Sequence, residues 1–402
     1  MQDTPTVTMP VSFATLHARF TTLPDPRRAQ GRRFPLAALV TLAVAAILAN
    51  HLSVLAIAEW GAAQSAEARR ALGFTGATMP HQTSLHRLFA RLDAHLLAAL
   101  VRAVITTNPT TAGIMEGGPR GVAIDGKAHR GRLAGHPLVA CPIHMLSAVC
   151  HDTGLVLAQA PVTATGDKAA AELATAPGLM AALDWHGRVL TGDALYCQRS
   201  LCQQVVEVGG DYLVLVKGNQ PELQRDVAIL FAHRADVALN AATLPTQDMR
   251  AAVTHDNGHG REEHRTLIAS TDLNDYLDWP GVAQVFTEER TRQERGKEHE
   301  SVCFGITSLP ATVADAARLL ALKRHHWGIE NGLHYVKDVT LGEDASRVRV
   351  GQGPNVLALL RDTALNLLRA TGCHTIAARL RHYSRCPHDL FAPLGLPLPQ
   401  HA

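Results

Sequence analysis

A chain of 402 residues, 47% hydrophobic and 18% charged, is an ordinary globular composition with apolar material for two or three domains. Its formal net charge of +2 excludes a wholesale polycation, so any nucleic-acid surface must come from local basic clusters. The 22 histidines add positive charge only below about pH 6.5.

The first 110 residues read as an all-helical N-terminal domain. A basic turn, "LPDPRRAQGRR" (23–33), offers Arg27, Arg28, Arg32 and Arg33 to phosphates. The apolar run 34–50 stops at Asn50-His51, is short for a membrane span and badly placed for a signal peptide. It predicts a buried core helix, and no membrane segment is expected. The stretch "MPHQTSLHRLFARLDAHLLAAL" (79–100) predicts one helix with Thr83 or Ser84 as N-cap. Its outer side presents His86, Arg87 and Arg91, a face suited to a DNA groove or simply to solvent.

After a linker-like stretch (106–121) the texture changes. "GVAID" (121–125), "HMLSAVC" (144–150) and "GLVLAQAPV" (154–162) read as strands. Helix is predicted over 167–183, strand over 187–194, helix over 197–208 and strand over 211–219. Strands followed by alternating helix and strand imply a mixed α/β sheet with helices against it, begun in 111–224. The pattern breaks at 225–307, which reads as a charged, β-rich insertion. Helical spacing resumes at 312–337 and 355–372, so 308–372 completes the domain, and 373–402 is a Pro- and His-rich tail. Seven scattered cysteines without a CxxC pair suit reduced thiols. Cys373-His374 and Cys386-Pro387-His388 could bind a metal, although loose tail residues are the simpler reading.

Chemistry concentrates in three carboxylates. Asp125 closes the strand "GVAID", and Asp193 closes another in "RVLTGD". Glu330 lies in "RHHWGIENGLHYVKD" (324–338), with His334 four and Lys337 seven residues on, one face of a continuous helix. Two strand-end aspartates and a glutamate from a packed helix can give oxygen ligands to divalent ions such as Mg²⁺. Paired ions suit in-line displacement at a phosphodiester. Lys337 would then meet a phosphate; an exposed polar stripe on an amphipathic helix is the alternative. In "KGNQP" (217–221), Lys217 could touch DNA backbone, or Gly218 and Asn219 simply form a turn. His129, Arg130 and Arg132 are further phosphate candidates. Trp327 and Tyr335 are expected in the core, with base stacking as their other possible role. Cys197 has no base constellation that would make it a nucleophile.

The segments "LPDPR…GRRFPL", "AIAEW", "IDGKAHRG", "HMLSAV", "DYLVLVKGNQP", "GHGREEHR", "WPGVAQV", "RHHWGIENGLHYVKDVTLGEDASRVR" and "NVLALLRDTALNLL" stand in this order along the chain. Together they resemble the DDE transposases of bacterial insertion sequences, nearest the H-repeat-associated (ISAs-type) branch. The resemblance implies an RNase H-like catalytic domain, interrupted by the β-rich insertion and preceded by a helical DNA-binding domain. It makes Asp125, Asp193 and Glu330 the catalytic, metal-holding triad, with Mg²⁺ as cofactor and Mn²⁺ as a substitute. It implies endonucleolytic cleavage at insertion-sequence ends and strand transfer into target DNA. Terminal inverted repeats and target DNA become the partners, with a homodimer on paired ends, in the bacterial cytoplasm at the nucleoid. A related signature, Tyr-x2-Arg-x3-Glu-x6-Lys, is met by Glu330 and Lys337, while Lys323 and His326 occupy its Tyr and Arg positions. Arg324 stands ready to replace the missing arginine, and all four basic residues become DNA-binding candidates. Glu343-Asp344 is a rival acidic pair for which a supporting role is favoured. Two other functions fit the same residues: a metal-dependent nuclease that does not join, and a catalytically silent DNA-binding relic.

Overall fold

The computed structural model describes residues 13–106, 114–115, 118–128, 144–162, 167–239, 248–258, 260–391 and 394–396. Helices α1 (Phe13–Phe20), α2 (Leu36–Leu48), α3 (Val54–Ala63), α4 (Ala66–Ala71), α5 (Gln82–Phe89) and α6 (Ala94–Thr106) come first. Strands β1 (Ile114–Met115), β2 (Gly118–Ala128), β3 (His144–Cys150) and β4 (Val156–Val162) follow. Then come α7 (Lys168–Ala181), β5 (Arg188–Gly192), α8 (Arg199–Glu207), β6 (Asp211–Val216) and α9 (Pro221–Leu239). Long strands β7 (Arg250–Gly258), β8 (Arg261–Ser270), β9 (Gln284–Glu294) and β10 (Lys297–Thr307) lead into α10 (Ala316–His326). Helices α11 (Gly353–Ala370), α12 (Ile376–Arg385) and α13 (His388–Phe391) complete the set. The strand order is β4-β3-β2-β5-β6-β10-β9-β8-β7, with β1 paired to β2 off this path. A mixed sheet with helices against it is the α/β class expected from the sequence.

The chain divides into two units, one of them made of residues 1–112, 126–175 and 330–402. Its centre is α2, buried along its whole length and packed by α1, α3, α11 and α12. A helix apolar all round needs neighbours all round, which explains the missing polar face. Ser53 caps α3 and Ser65 caps α4. The single helix predicted over 79–100 is two. Asp93 Oδ1 accepts from His95 N at 2.9 Å and Leu96 N at 3.1 Å, starting α6 afresh. The cap of α5 is His81, whose Nδ1 accepts from Thr83 N, in place of Thr83 or Ser84. Helix α11 lies against the edge strand β4, where Asn366 acts as a substitute strand. Its Oδ1 accepts from Val156 N at 2.8 Å and its Nδ2 donates to Val156 O at 3.0 Å. Residues 376–391, expected as tail, form α12 and α13.

The second unit comprises residues 113–125 and 176–329. Strands β2, β5 and β6 run parallel, and β10 pairs antiparallel with β6 at Thr307↔Leu213. From β10 an antiparallel meander continues through β9 and β8 to β7. The stretch 225–307 therefore opens with the rest of α9 and then extends the same sheet. Helix α10 covers β5 to β8, burying Leu319, Leu320 and Leu322 against Val189, Leu213, Leu267 and Phe286. Gly305 on β10 faces the Phe286 ring so closely that a Cβ would overlap it. Glycine there is what lets the ring lie flat on the neighbouring strand.

Candidate active site

Asp125 and Asp193 both belong to the second unit. The parallel register pairs Ala123 with Thr191, so each aspartate lies two residues beyond a matched pair. With side chains alternating along a strand, both aspartates share the face of Ala123 and Thr191. Asp193 keeps an extended backbone (φ −71°, ψ −173°) just past the carboxyl end of β5. Its Oδ1 accepts from Leu195 N at 2.9 Å, capping a short 3₁₀ turn at Ala194–Tyr196. Both aspartates are partly exposed. Asp193 follows the end of β5 as expected from the sequence, whereas Asp125 does not close its strand: β2 runs on to Ala128, past the last parallel pair at Ala123↔Thr191.

The loop after β6 secures that turn. Asn219 Nδ2 donates to Ala194 O at 2.6 Å, and Gln220 Nε2 donates to Cys197 O at 3.0 Å. The polar residues of "KGNQP" thus hold the turn that Asp193 caps, a role their sequence did not announce. Lys217 beside them is exposed. Two residues back along β5, Thr191 Oγ1 lies 3.2 Å from Nδ1 of buried His326 on α10. Burial pushes the His326 pKa down to about 4, leaving it neutral at pH 7. His326 therefore buttresses β5 and is not presented to DNA.

Glu330 is the first residue of the last stretch of the other unit. Here the continuous helix expected over 312–337 gives way: α10 ends at His326, and π-helical turns span Ile329–His334 and Val336–Thr340. Hydrogen bonds reach five residues back, as from Leu341 N to Val336 O, so the seven-residue register is lost. Glu330 is exposed, with Oε2 3.4 Å from Nδ1 of buried His334, while Lys337 is only 1% exposed. The polar stripe read from the sequence does not form one face.

Lys337 instead enters a buried ionic cluster. Its Nζ donates to Asp362 Oδ2 at 2.8 Å and lies 3.5 Å from Glu343 Oε1. Burial opposes its charge, but Asp362 and Glu343 outweigh burial and raise its pKa. Gln159 also donates to Asp362, at 2.5 Å. Lys127, two residues after Asp125, reaches Asp338 at 2.5 Å, Glu343 at 3.4 Å and Asp344 at 3.9 Å. Burial raises the Asp338 pKa, partly offset by Lys127. Arg361 donates to Leu341 O and Leu52 O. The Glu343-Asp344 pair thus serves as counter-charge to lysines, in line with a supporting role. Asp362 and Lys127 were missed from the sequence. The available signal was the Arg361-Asp362 charge pair inside the apolar run of α11, since such charges are buried only when partnered.

The other basic candidates divide by engagement. Arg27 forms an ion pair with Asp25 at 2.7 Å, Arg32 donates to Arg27 O at 2.9 Å, and Arg33 donates to Thr78 at 2.9 Å. Lys323 is paired with Glu288, and Arg324 with Asp256 at 2.7 Å. Arg28, Arg87 and Arg91 are exposed. His129, Arg130 and Arg132 lie outside the described residues. Trp327 and Tyr335, expected in the core, are 48% and 58% exposed. The break of the α-helix at 326 turns them outward.

A family model described as the transposase DDE domain matches residues 116–367, and a DDE_Tnp_1-associated model matches residues 17–105. The putative transposase YncI of Escherichia coli O157:H7 is 30% identical over 255 residues, 62% of this chain and 61% of its own length. The H repeat-associated putative transposase YhhI of Escherichia coli K12 is 30% identical over 260 residues, 61% of this chain and 63% of its own. The match thus spans about three-fifths of these relatives' length. An uncharacterized protein in the dhlA 3′ region of Xanthobacter autotrophicus is 30% identical over 299 residues, 72% of this chain and 92% of its own. Among solved structures, a piggyBac transposase synaptic complex with hairpin DNA aligns over 97% of this chain and 83% of that chain. The TM-score of that alignment is 0.45, at 11% identity.

Proposed function

Because the chain belongs to the DDE transposase family, we propose that it cuts DNA at the ends of its insertion sequence and joins those ends to target DNA. The observation that carries this reading is the aspartate pair, Asp125 and Asp193, each two residues beyond Ala123↔Thr191, the last pair of two neighbouring parallel strands. Ligand sites of α/β sheets gather at the carboxyl ends of such strands.

In this proposal Asp125, Asp193 and Glu330 hold a divalent cation. Their donors are carboxylate oxygens, the set that suits Mg²⁺, with Mn²⁺ as a substitute. Divalent ions held there would supply stabilisation of the charge that develops in a phosphodiester displacement. In the first step water attacks the phosphorus at an element end and a 3′-hydroxyl leaves. In the second, that hydroxyl attacks a target phosphodiester, and the target's 3′ oxygen leaves. No covalent link to the protein is needed, consistent with the absence of a nucleophilic role for Cys197, whose thiol burial holds protonated. Asn219 and Gln220 keep the Asp193 turn in place through the cycle.

Arg28, Arg87, Arg91 and Lys217 are the exposed cations we assign to DNA phosphates. The helical N-terminal region would recognise the terminal inverted repeats, and Trp327 and Tyr335 would stack on unpaired bases near the cut. Two element ends must be held together, which calls for a homodimer on DNA.

The test uses labelled DNA carrying the sequences that flank the gene, with full-length protein and Mg²⁺ or Mn²⁺. Parent protein is expected to cleave and join; Asp125→Asn, Asp193→Asn and Glu330→Gln should bind DNA and do neither. Equal activity in parent and variants would overturn the site. Cleavage without joined product would make the protein a nuclease, and metal-independent binding without cleavage a silent relic.

A further inference from the structure

Helix α12 ends at Arg385, and Cys386 keeps its hydrogen-bond pattern, its N–H donating to His382 O at 2.8 Å. His382 and Cys386, four apart, therefore lie on one side of the helix end. Pro387 then turns the chain, and Asp389 N–H donates to Cys386 O at 3.1 Å. The turn brings the Asp389 carboxylate back onto the imidazole, with His382 Nε2 2.8 Å from Asp389 Oδ2. A ring nitrogen of His382, the Cys386 sulfur and a carboxylate oxygen of Asp389 all lie within 4.8 Å of one another. None of the three takes part in the chemistry proposed above.

We infer that His382, Cys386 and Asp389 form a Zn²⁺ site at the α12–α13 corner. Tetrahedral zinc with bonds of about 2.0–2.3 Å sets its donors roughly 3.3–3.8 Å apart, so small side-chain rotations complete the geometry already present. A nitrogen, a thiolate and a carboxylate form a borderline-soft set that favours zinc over Mg²⁺, which prefers oxygen. A surface His–Asp ion pair accounts for two of the residues and leaves the thiol beside them without a purpose. Three protein ligands leave a fourth position for water. The thiol gives up its proton to solvent on binding and the imidazole must be neutral, so affinity rises with pH. Because the ligands come from both sides of Pro387, the ion would staple α13 to the end of α12.

Full-length protein freed of metal by a chelator is titrated with Co²⁺, with excess Mg²⁺ present to occupy carboxylate-only sites. The expected result is one equivalent of tetrahedral Co²⁺ showing visible bands and a near-ultraviolet thiolate-to-cobalt band, both bleached by one equivalent of Zn²⁺. C386S should lose the thiolate band and H382N should lose stoichiometric binding, each with an unchanged circular dichroism spectrum. Co²⁺ binding without a thiolate band would overturn the inference. So would a thiolate band that survives in C386S, since it would belong to another cysteine.

Discussion

His326 is a group whose ionisation opposes the fold. Its pKa is about 4 in the folded protein, chiefly from burial, against 6.5 for the unperturbed side chain. The folded state binds fewer protons than the unfolded state, so this contribution is intact above about pH 6.5 and is lost as pH falls toward 4. Urea melts of parent and His326→Gln between pH 7 and 4 should differ in slope, the parent losing on the order of 2–3 kcal/mol more. A parallel pH dependence in the two proteins would remove His326 as the cause. At Lys337 the charge itself is the buried element. Asp362→Ala would leave the ammonium with Glu343 as its remaining carboxylate within 4 Å, at an expected cost of about 3–5 kcal/mol. Combining it with Lys337→Met should restore much of that loss in a denaturant melt, because the penalty lies in a buried ammonium that has lost its hydrogen-bonded carboxylate.

At the level of elements, the turn capped by Asp193 depends on a side chain from another loop. Asn219→Ala should cost about 0.5–1.5 kcal/mol of stability, the worth of one hydrogen bond, yet lower single-turnover DNA cleavage well beyond that. Thermal melts read beside cleavage rates would separate the two effects. Gly305→Val would drive two methyls into the Phe286 ring, and about 1–3 kcal/mol or more of destabilisation is expected in the same melts. The strand before Asp193 was legible in the sequence because it is a short apolar run stopped by an acid and a small residue, whereas β2 runs through Asp125-Gly126 to Ala128. The segment carrying Glu330 was not. Its apolar spacing fits an α-helix, whereas the observed winding goes with Lys337 and Asp338 contacting Asp362 and Lys127, from distant parts of the chain. The break at Asp93 was visible in principle, as a capping residue inside a helical run.

For the whole molecule, a net charge of +2 makes DNA affinity a matter of a few placed cations. Alanine at Arg28, Arg87, Arg91 or Lys217 should each lower the salt dependence of DNA binding by about one unit of slope. Lys337→Met, whose ammonium is sealed inside and paired, should leave that slope unchanged in filter-binding titrations.

The packing of α2 against α11 has a consequence for the birth of the protein. The apolar helix Leu36–Leu48 leaves the ribosome early, but its partner Gly353–Ala370 is synthesised roughly 15–60 s later at about 5–20 residues per second. Throughout that interval thirteen consecutive core residues lack one of the helices that cover them. A nascent chain of this kind needs holding, so its yield in a cell should follow chaperone supply. A copy of the gene cut short before residue 353 would make a protein whose helix α2 keeps α1 and α3 but never gains the cover of α11 and α12.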